Sequence, residues 1–204
     1  MISDYDAFIA GKATRSEVLG FHPSFLPDCL YPFQRAVVEW AVHLGRACLF
    51  EDCGLGKTLQ QLVWARNVRD HSGKPVLILC PLAVAQQTVK EGERFGIHVN
   101  HAHQPEDIID GINITNYERI ELFEESVSKF SGVVLDESSI LKSFIGKTRQ
   151  KLTELFRDTQ FRLCCTATPS PNDYTELGQH AEFLGVCTAP QMLATWFIND
   201  TQNT

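Results

Sequence analysis

Between an apolar run at 47–50 and a helical pattern opening at Lys57, the chain reads Glu51-Asp52-Cys53-Gly54-Leu55-Gly56-Lys57-Thr58. Few backbones accommodate that junction. Gly54 and Gly56 let the chain curl so that the amides of Cys53, Gly54, Leu55 and Gly56 face one point, which the positive end of the following helix also faces. Such a strand–loop–helix is a phosphate cradle: Lys57 would reach the β- and γ-phosphates, and the Thr58 hydroxyl would ligate Mg2+. The strict pattern has glycine at position 51, where this chain carries glutamate. Its carboxylate must therefore point away from a triphosphate or be neutralised nearby.

Further apolar runs at 76–80, 112–115, 133–135 and 161–165, with a weaker one near 97–100, alternate with helical patterns. The helices are predicted at 32–44, 57–68, 83–95, 122–130, 147–156, 174–184 and 190–197, the last followed by a polar tail. Several strands are continuously apolar, as in parallel sheets covered on both faces. Strands separated by helices imply βαβ crossovers and a doubly wound α/β domain. Such a sheet presents its C-terminal strand ends to a ligand crevice. The run at 133–135 ends in Asp136-Glu137-Ser138-Ser139, and its end is expected beside the loop on a neighbouring strand. Asp136 would hold Mg2+, and Glu137 would orient and deprotonate an attacking water.

Composition narrows the class. A chain of 204 residues, 44% hydrophobic and 21% charged, has room for one domain and is neither fibrous nor disordered. No apolar run approaches a bilayer span. Asp4, Asp6, Lys12, Arg15 and Glu17 interrupt the N-terminus where a signal peptide would be apolar. No membrane partner is expected, and the expected compartment is the cytoplasm. The seven cysteines include no C-x-x-C pair, so free thiols in a reducing compartment are expected rather than zinc ligands. A net charge of −7 does not suggest an autonomous DNA binder. Residues 138–162 nevertheless hold six basic side chains against two acidic ones, either a solvated face or a patch facing nucleic acid. Trp40 and Trp64 read as core, and His98, His101 and His103 as surface. Phe21 to Phe25 either pack near an adenine or lead into the first helix.

Four more segments belong with these motifs: Leu30-Tyr31-Pro32-Phe33-Gln34-Arg35 upstream, Leu79-Cys80-Pro81-Leu82-Ala83-Val84 and Ile114-Thr115-Asn116-Tyr117-Glu118 between, and Thr166-Ala167-Thr168-Pro169-Ser170-Pro171-Asn172 downstream. Their order and spacing resemble the first RecA-like domain of superfamily 2 (DEAD/DEAH-type) helicases, especially the Swi/Snf-type branch and its phage-borne relatives. The resemblance implies a RecA-like P-loop NTPase domain over 29–204, with 1–28 as a lead-in. It implies ATP and Mg2+ as ligands, and hydrolysis coupled to movement on DNA. Gln34 would read adenine. Asp136 and Glu137 would be the metal-binding and water-activating pair, and Ser139, Thr166 and Thr168 would couple hydrolysis to nucleic-acid grip. Pro81, Ala83, Thr115, Asn116 and Lys142 would touch the sugar-phosphate backbone without reading sequence. Ser139 occupies the place of the family's usual histidine.

The family carries its arginine fingers on a second RecA-like domain, expected here in cis or in trans. The span 163–204 contains neither lysine nor arginine. The chain is therefore expected to bind ATP–Mg2+ yet hydrolyse it weakly by itself. Two other classes fit the loop alone: a non-helicase P-loop NTPase, and a nucleotide-gated interaction module that never turns over.

Overall fold

A computed structural model of the protein describes residues 18–143, 147–170 and 172–197. Its strands are β1 (Arg46–Phe50), β2 (Val76–Cys80), β3 (Val99–His101), β4 (Ile112–Asn116), β5 (Gly132–Asp136) and β6 (Phe161–Thr166). They form one sheet in the order β1-β6-β5-β2-β4-β3, with every pairing parallel. Helices α1 (Pro32–Leu44), α2 (Lys57–Ser72), α3 (Ala85–Arg94), α4 (Ile140–Ser143), α5 (Lys147–Leu155), α6 (Leu177–Leu184) and α7 (Ala189–Trp196) complete it, with 3-10 turns at Pro105–Asp107 and Tyr174–Glu176. The expected α/β class, a parallel sheet with helices on both faces, is the one that forms.

The continuous apolar runs divide cleanly because side chains alternate across a strand. Val76, Ile78 and Cys80 of β2 join the core under α1, α2 and α3. Leu77 and Leu79 join the opposite core, with Phe123, Phe156 and Phe183. Both halves of the β2, β5 and β6 runs are buried, which is why the sequence shows no polar alternation there; β1, at the sheet edge, leaves Phe50 exposed.

Helix α2 carries the chain from β1 to β2, three places along the sheet, so it crosses the faces of β6 and β5. It is consequently buried nearly all round, from Leu59 through Ala65 and at Asn67 and Val68. Trp64 is fully buried, but Trp40 on α1 is 48% exposed and is not core. Its helix buries only the stripe that meets α2 and β1.

The segment expected as a helix at 122–130 is instead a 3-10 stretch, Tyr117–Lys129. Tyr117, Ile120, Phe123 and Ser126 are buried at every third position, the repeat of three residues per turn.

The lead-in is bound to the domain over its described part. Leu19 and Phe21 amides donate to Leu44 and Val42 carbonyls, and those of Ser24 and Phe25 to Asn67 Oδ1. A Cβ at Gly20 would stand 1.9 Å from the Val42 carbonyl oxygen, so only glycine permits this approach. Phe21 stacks on His71 at 3.8 Å and meets Phe161 edge-on. Phe161 begins β6, so Phe21 lies at the end of the sheet opposite the glycine loop, which excludes it from an adenine site there. Residues 1–17 and the polar tail from 198 lie outside the described residues.

Candidate nucleotide site

Three strand ends meet at the site. Phe50 of β1 is in register with Thr166 of β6, and Asp136 of β5 with Cys165 of β6. The loop strand and the acidic strand, expected as neighbours, are therefore not adjacent; β6 stands between them. An apolar strand does not encode which strand it will pair with. The interposed strand ends in Thr166 and so sets that hydroxyl between the loop and the carboxylates.

The loop is held by its own side chains. Gly54 and Gly56 have φ of 83° and 80°, a region open to glycine at little cost. At Gly56 a Cβ would also lie 2.4 Å from Gln34 Nε2. That amide donates to the Leu55 carbonyl at 2.8 Å, while Gln34 Oε1 accepts from the Tyr31 amide at 3.0 Å. Gln34 is thus 5% exposed and braces the loop against α1. To read a base it would have to exchange one of these bonds. Lys57 Nζ donates to the carbonyls of Glu51 (2.8 Å) and Asp52 (2.9 Å). The Glu51 carboxylate turns back onto α2, where it accepts from Gln60 Nε2 at 2.7 Å. Cys53 and Leu55 are exposed on the loop, and Thr58 is half-buried in the first turn of α2.

The acidic strand end is nearly dry. Asp136 is 7% exposed. Burial, then the adjacent Glu137 charge, pushes its carboxyl up to about 6; Gln61, the Glu137 amide and Lys57 act against the rise. The Lys57 ammonium is therefore close enough to act on Asp136. Tyr117 hydroxyl donates to the Asp136 carbonyl at 2.8 Å, and burial raises its phenol well above the ordinary range. Glu137 has φ 53°, the one positive φ of a non-glycine residue among the described residues, and backbone of that kind is strained. The Thr166 hydroxyl donates to Glu137 Oε2 at 3.4 Å and accepts from the Thr168 amide at 3.1 Å. Ser138 amide donates to the Cys165 carbonyl, and its hydroxyl shares a 3.0 Å hydrogen bond with His180 Nε2 on α6. Ser139 is half-buried.

Because the folded pKa of Asp136 lies above the ordinary value of 3.8, its contribution to stability is full below pH 4 and lost as pH rises to 6. The Asp136→Asn protein should therefore be more stable than the parent above pH 6, by roughly 2–3 kcal/mol at most. Thermal unfolding in chelator from pH 4 to 8 checks this. The parent should carry a downward slope between pH 4 and 6 that the variant lacks.

The nucleic-acid candidates separate. Pro81 is half-buried and Ala83 exposed beyond β2. Thr115 is fully buried and Asn116 is 2% exposed, so neither can touch a backbone directly. Both lie within β4, where Asn116 Nδ2 donates instead to the Pro81 carbonyl at 3.3 Å. The Lys142 side chain lies outside the described residues, as do those of Lys147 and Arg149. The rest of the basic stretch is engaged. Lys151 pairs with Glu121 and Glu124, Arg157 faces Glu154 at 4.0 Å, and buried Arg162 donates to the Thr159 and Phe183 carbonyls.

Gln60, Gln61, Tyr117 and His180 also line or brace the site, and sequence reasoning does not single them out. Two amides inside the apolar run from Leu59 to Trp64 are the available signal.

The donor set suits a magnesium-bound nucleotide. Magnesium takes one or two carboxylates, hydroxyls and phosphate oxygens rather than a protein cage. Among the described residues no cluster of three or more His, Cys, Asp or Glu could hold a metal by itself. Fold and site together define a RecA-like, helicase-type P-loop domain. Residues 33–203 match the SNF2-related domain family, and the chain belongs to it.

Its relatives are distant and longer. It is 27% identical over 195 residues to the human DNA excision repair protein ERCC-6, covering 79% of this chain and 13% of that protein. It is 26% identical over 176 residues to the putative protein p41 of Acyrthosiphon pisum secondary endosymbiont phage 1, covering 75% and 38%. Its fold matches the Sulfolobus solfataricus SWI2/SNF2 ATPase core in complex with dsDNA, with a TM-score of 0.71 at 24% identity over 87% of this chain and 41% of that one. No helix among the described residues is long and apolar enough to cross a membrane.

Proposed function

We propose that this chain binds ATP–Mg2+ and forms the first half of a DNA-dependent helicase or translocase motor, completed by a second RecA-like domain in cis or in trans. The observation that carries this is the meeting of Lys57, Asp136, Glu137 and Thr166 at the ends of β1, β5 and β6.

Loop amides from Cys53 to Gly56 would cradle the phosphates, with Lys57 moving from the Glu51 and Asp52 carbonyls to the terminal phosphates. Thr58 and Asp136 would hold magnesium, which neutralises phosphate charge when bound. Glu137 would take the proton of the attacking water, its carboxylate aimed by Thr166. Since Thr166 is bonded to Thr168, which is exposed, a change at Glu137 would pass to a surface loop through two hydroxyl-bearing residues. Ser138, joined to His180, supplies a second route, beside Ser139 in the histidine's place. Pro81, Ala83 and Lys142 remain the candidate backbone contacts; the dsDNA held by the Sulfolobus relative supports a duplex as partner.

The test is ADP release with and without duplex DNA, using this chain joined to a second RecA-like domain. DNA should accelerate release in the parent. Glu137→Gln should slow turnover by about 10²–10⁴-fold, the usual range for a general base, with nucleotide affinity kept. A DNA-independent rate would favour a non-helicase NTPase, and unimpaired turnover by Glu137→Gln would remove the assigned base.

A further inference from the structure

We infer that Gln61 is a positioning residue for the nucleotide-bound magnesium, orienting the Asp136 carboxylate with its amide nitrogen and a metal-bound water with its amide oxygen; this rests on the nucleotide site proposed above.

Gln61 follows Lys57 by four residues and Thr58 by three on α2, so all three project from one side of the helix. Trp64 and Val68, on that same side, lie over Gly132 at the start of β5, so Gln61 and Lys57, nearer the start of the helix, lie toward the other end of β5 at Asp136. Gln61 is fully buried. Neither its Nε2 nor its Oε1 has a hydrogen-bond partner of ordinary geometry among the described residues. Burying an amide in this condition is unfavourable. A leucine or methionine would be the stable choice among neighbours such as Leu62 and Trp64.

The polar group at that end of β5 is Asp136, and the Gln61 side chain lies against it. An ionised carboxylate only accepts, so Nε2 is the end that suits it, and Oε1 is left to receive a donor. Magnesium retains several coordinated waters, and these are donors. The adjacent Gln60 is committed elsewhere, its Nε2 bonded to Glu51 and to the Leu55 carbonyl. Loop support therefore belongs to Gln60, and the side chain one place on is left for the metal. Outer partners of metal-binding groups typically alter metal affinity 10–100-fold.

The experiment measures binding of a slowly hydrolysed fluorescent ATP analogue to the full chain and to Gln61→Met, in magnesium and in EDTA. Gln61→Met should bind about 10–100-fold more weakly in magnesium and equally well in EDTA. Its urea midpoint should be no lower than the parent's. Equal affinity in magnesium would overturn the inference. So would the same loss in EDTA, which would mean the residue merely shapes the loop. If the methionine variant does not fold, Gln61→Leu is read by the same criteria. A parent that binds no nucleotide in magnesium would instead overturn the nucleotide site itself, and the inference with it.

Discussion

Joining this chain to an arginine-bearing second RecA-like domain should raise ATP turnover by about 10³–10⁵ over the chain alone, the effect of an arginine finger in P-loop NTPases. The reason lies in where its own arginines go. Arg46 opens β1 in register with Arg162, the second residue of β6. They donate to the Gln160, Leu184 and Phe183 carbonyls. That places them a strand's length, roughly 13 Å or more, from the loop. Arg162 is 3% exposed, and burial holds its guanidinium down to about 10. It closes the far end of the sheet and cannot reach a phosphate. Steady-state ADP release by the chain alone and by the joined protein checks this. Equal rates would mean that the chain supplies its own transition-state charge.

The second large effect is expected at Lys57. Lys57→Ala should weaken nucleotide binding at least about 100-fold. Two charge-assisted bonds to phosphate contribute about 1.5–3 kcal/mol each, and 1.4 kcal/mol is a factor of ten. Stability should change little. Among the described residues the half-buried ammonium donates hydrogen bonds to two loop carbonyls, and Gln34 and Gln60 continue to hold the loop through the Leu55 carbonyl. Analogue titration and thermal unfolding on the same preparation separate the two quantities.

Much of this arrangement is legible in the residues. The β2, β5 and β6 runs are readable because parallel strands bury both faces, β1 as a short apolar run ending at the loop, and the loop because glycine supports φ near 80° before Lys-Thr. Strand order is not readable, since Val133–Leu135 and Phe161–Cys165 are equally apolar and neither names its neighbour. Thr115 resembles a surface hydroxyl although it lies wholly inside the sheet; one polar atom in an apolar strand does not disclose its depth. Trp40 and Trp64 both look like core on helical faces. Only the crossover of α2 over the sheet distinguishes the helix buried on all sides from the one buried along a stripe. The amides of Gln60 and Gln61 are visible, yet their meaning depends on Glu51 and Asp136, which the fold brings to them from opposite sides.

A double-mutant cycle on Lys57 and Asp136, read by binding of the same ATP analogue in magnesium, tests most directly whether loop and carboxylate serve one ligand. Lys57→Ala and Asp136→Asn should each weaken binding, and the double variant should be far less impaired than the sum of the two, with a coupling of roughly 0.5–3 kcal/mol. Strictly additive losses, or an Asp136→Asn protein that binds as the parent does, would contradict a shared site.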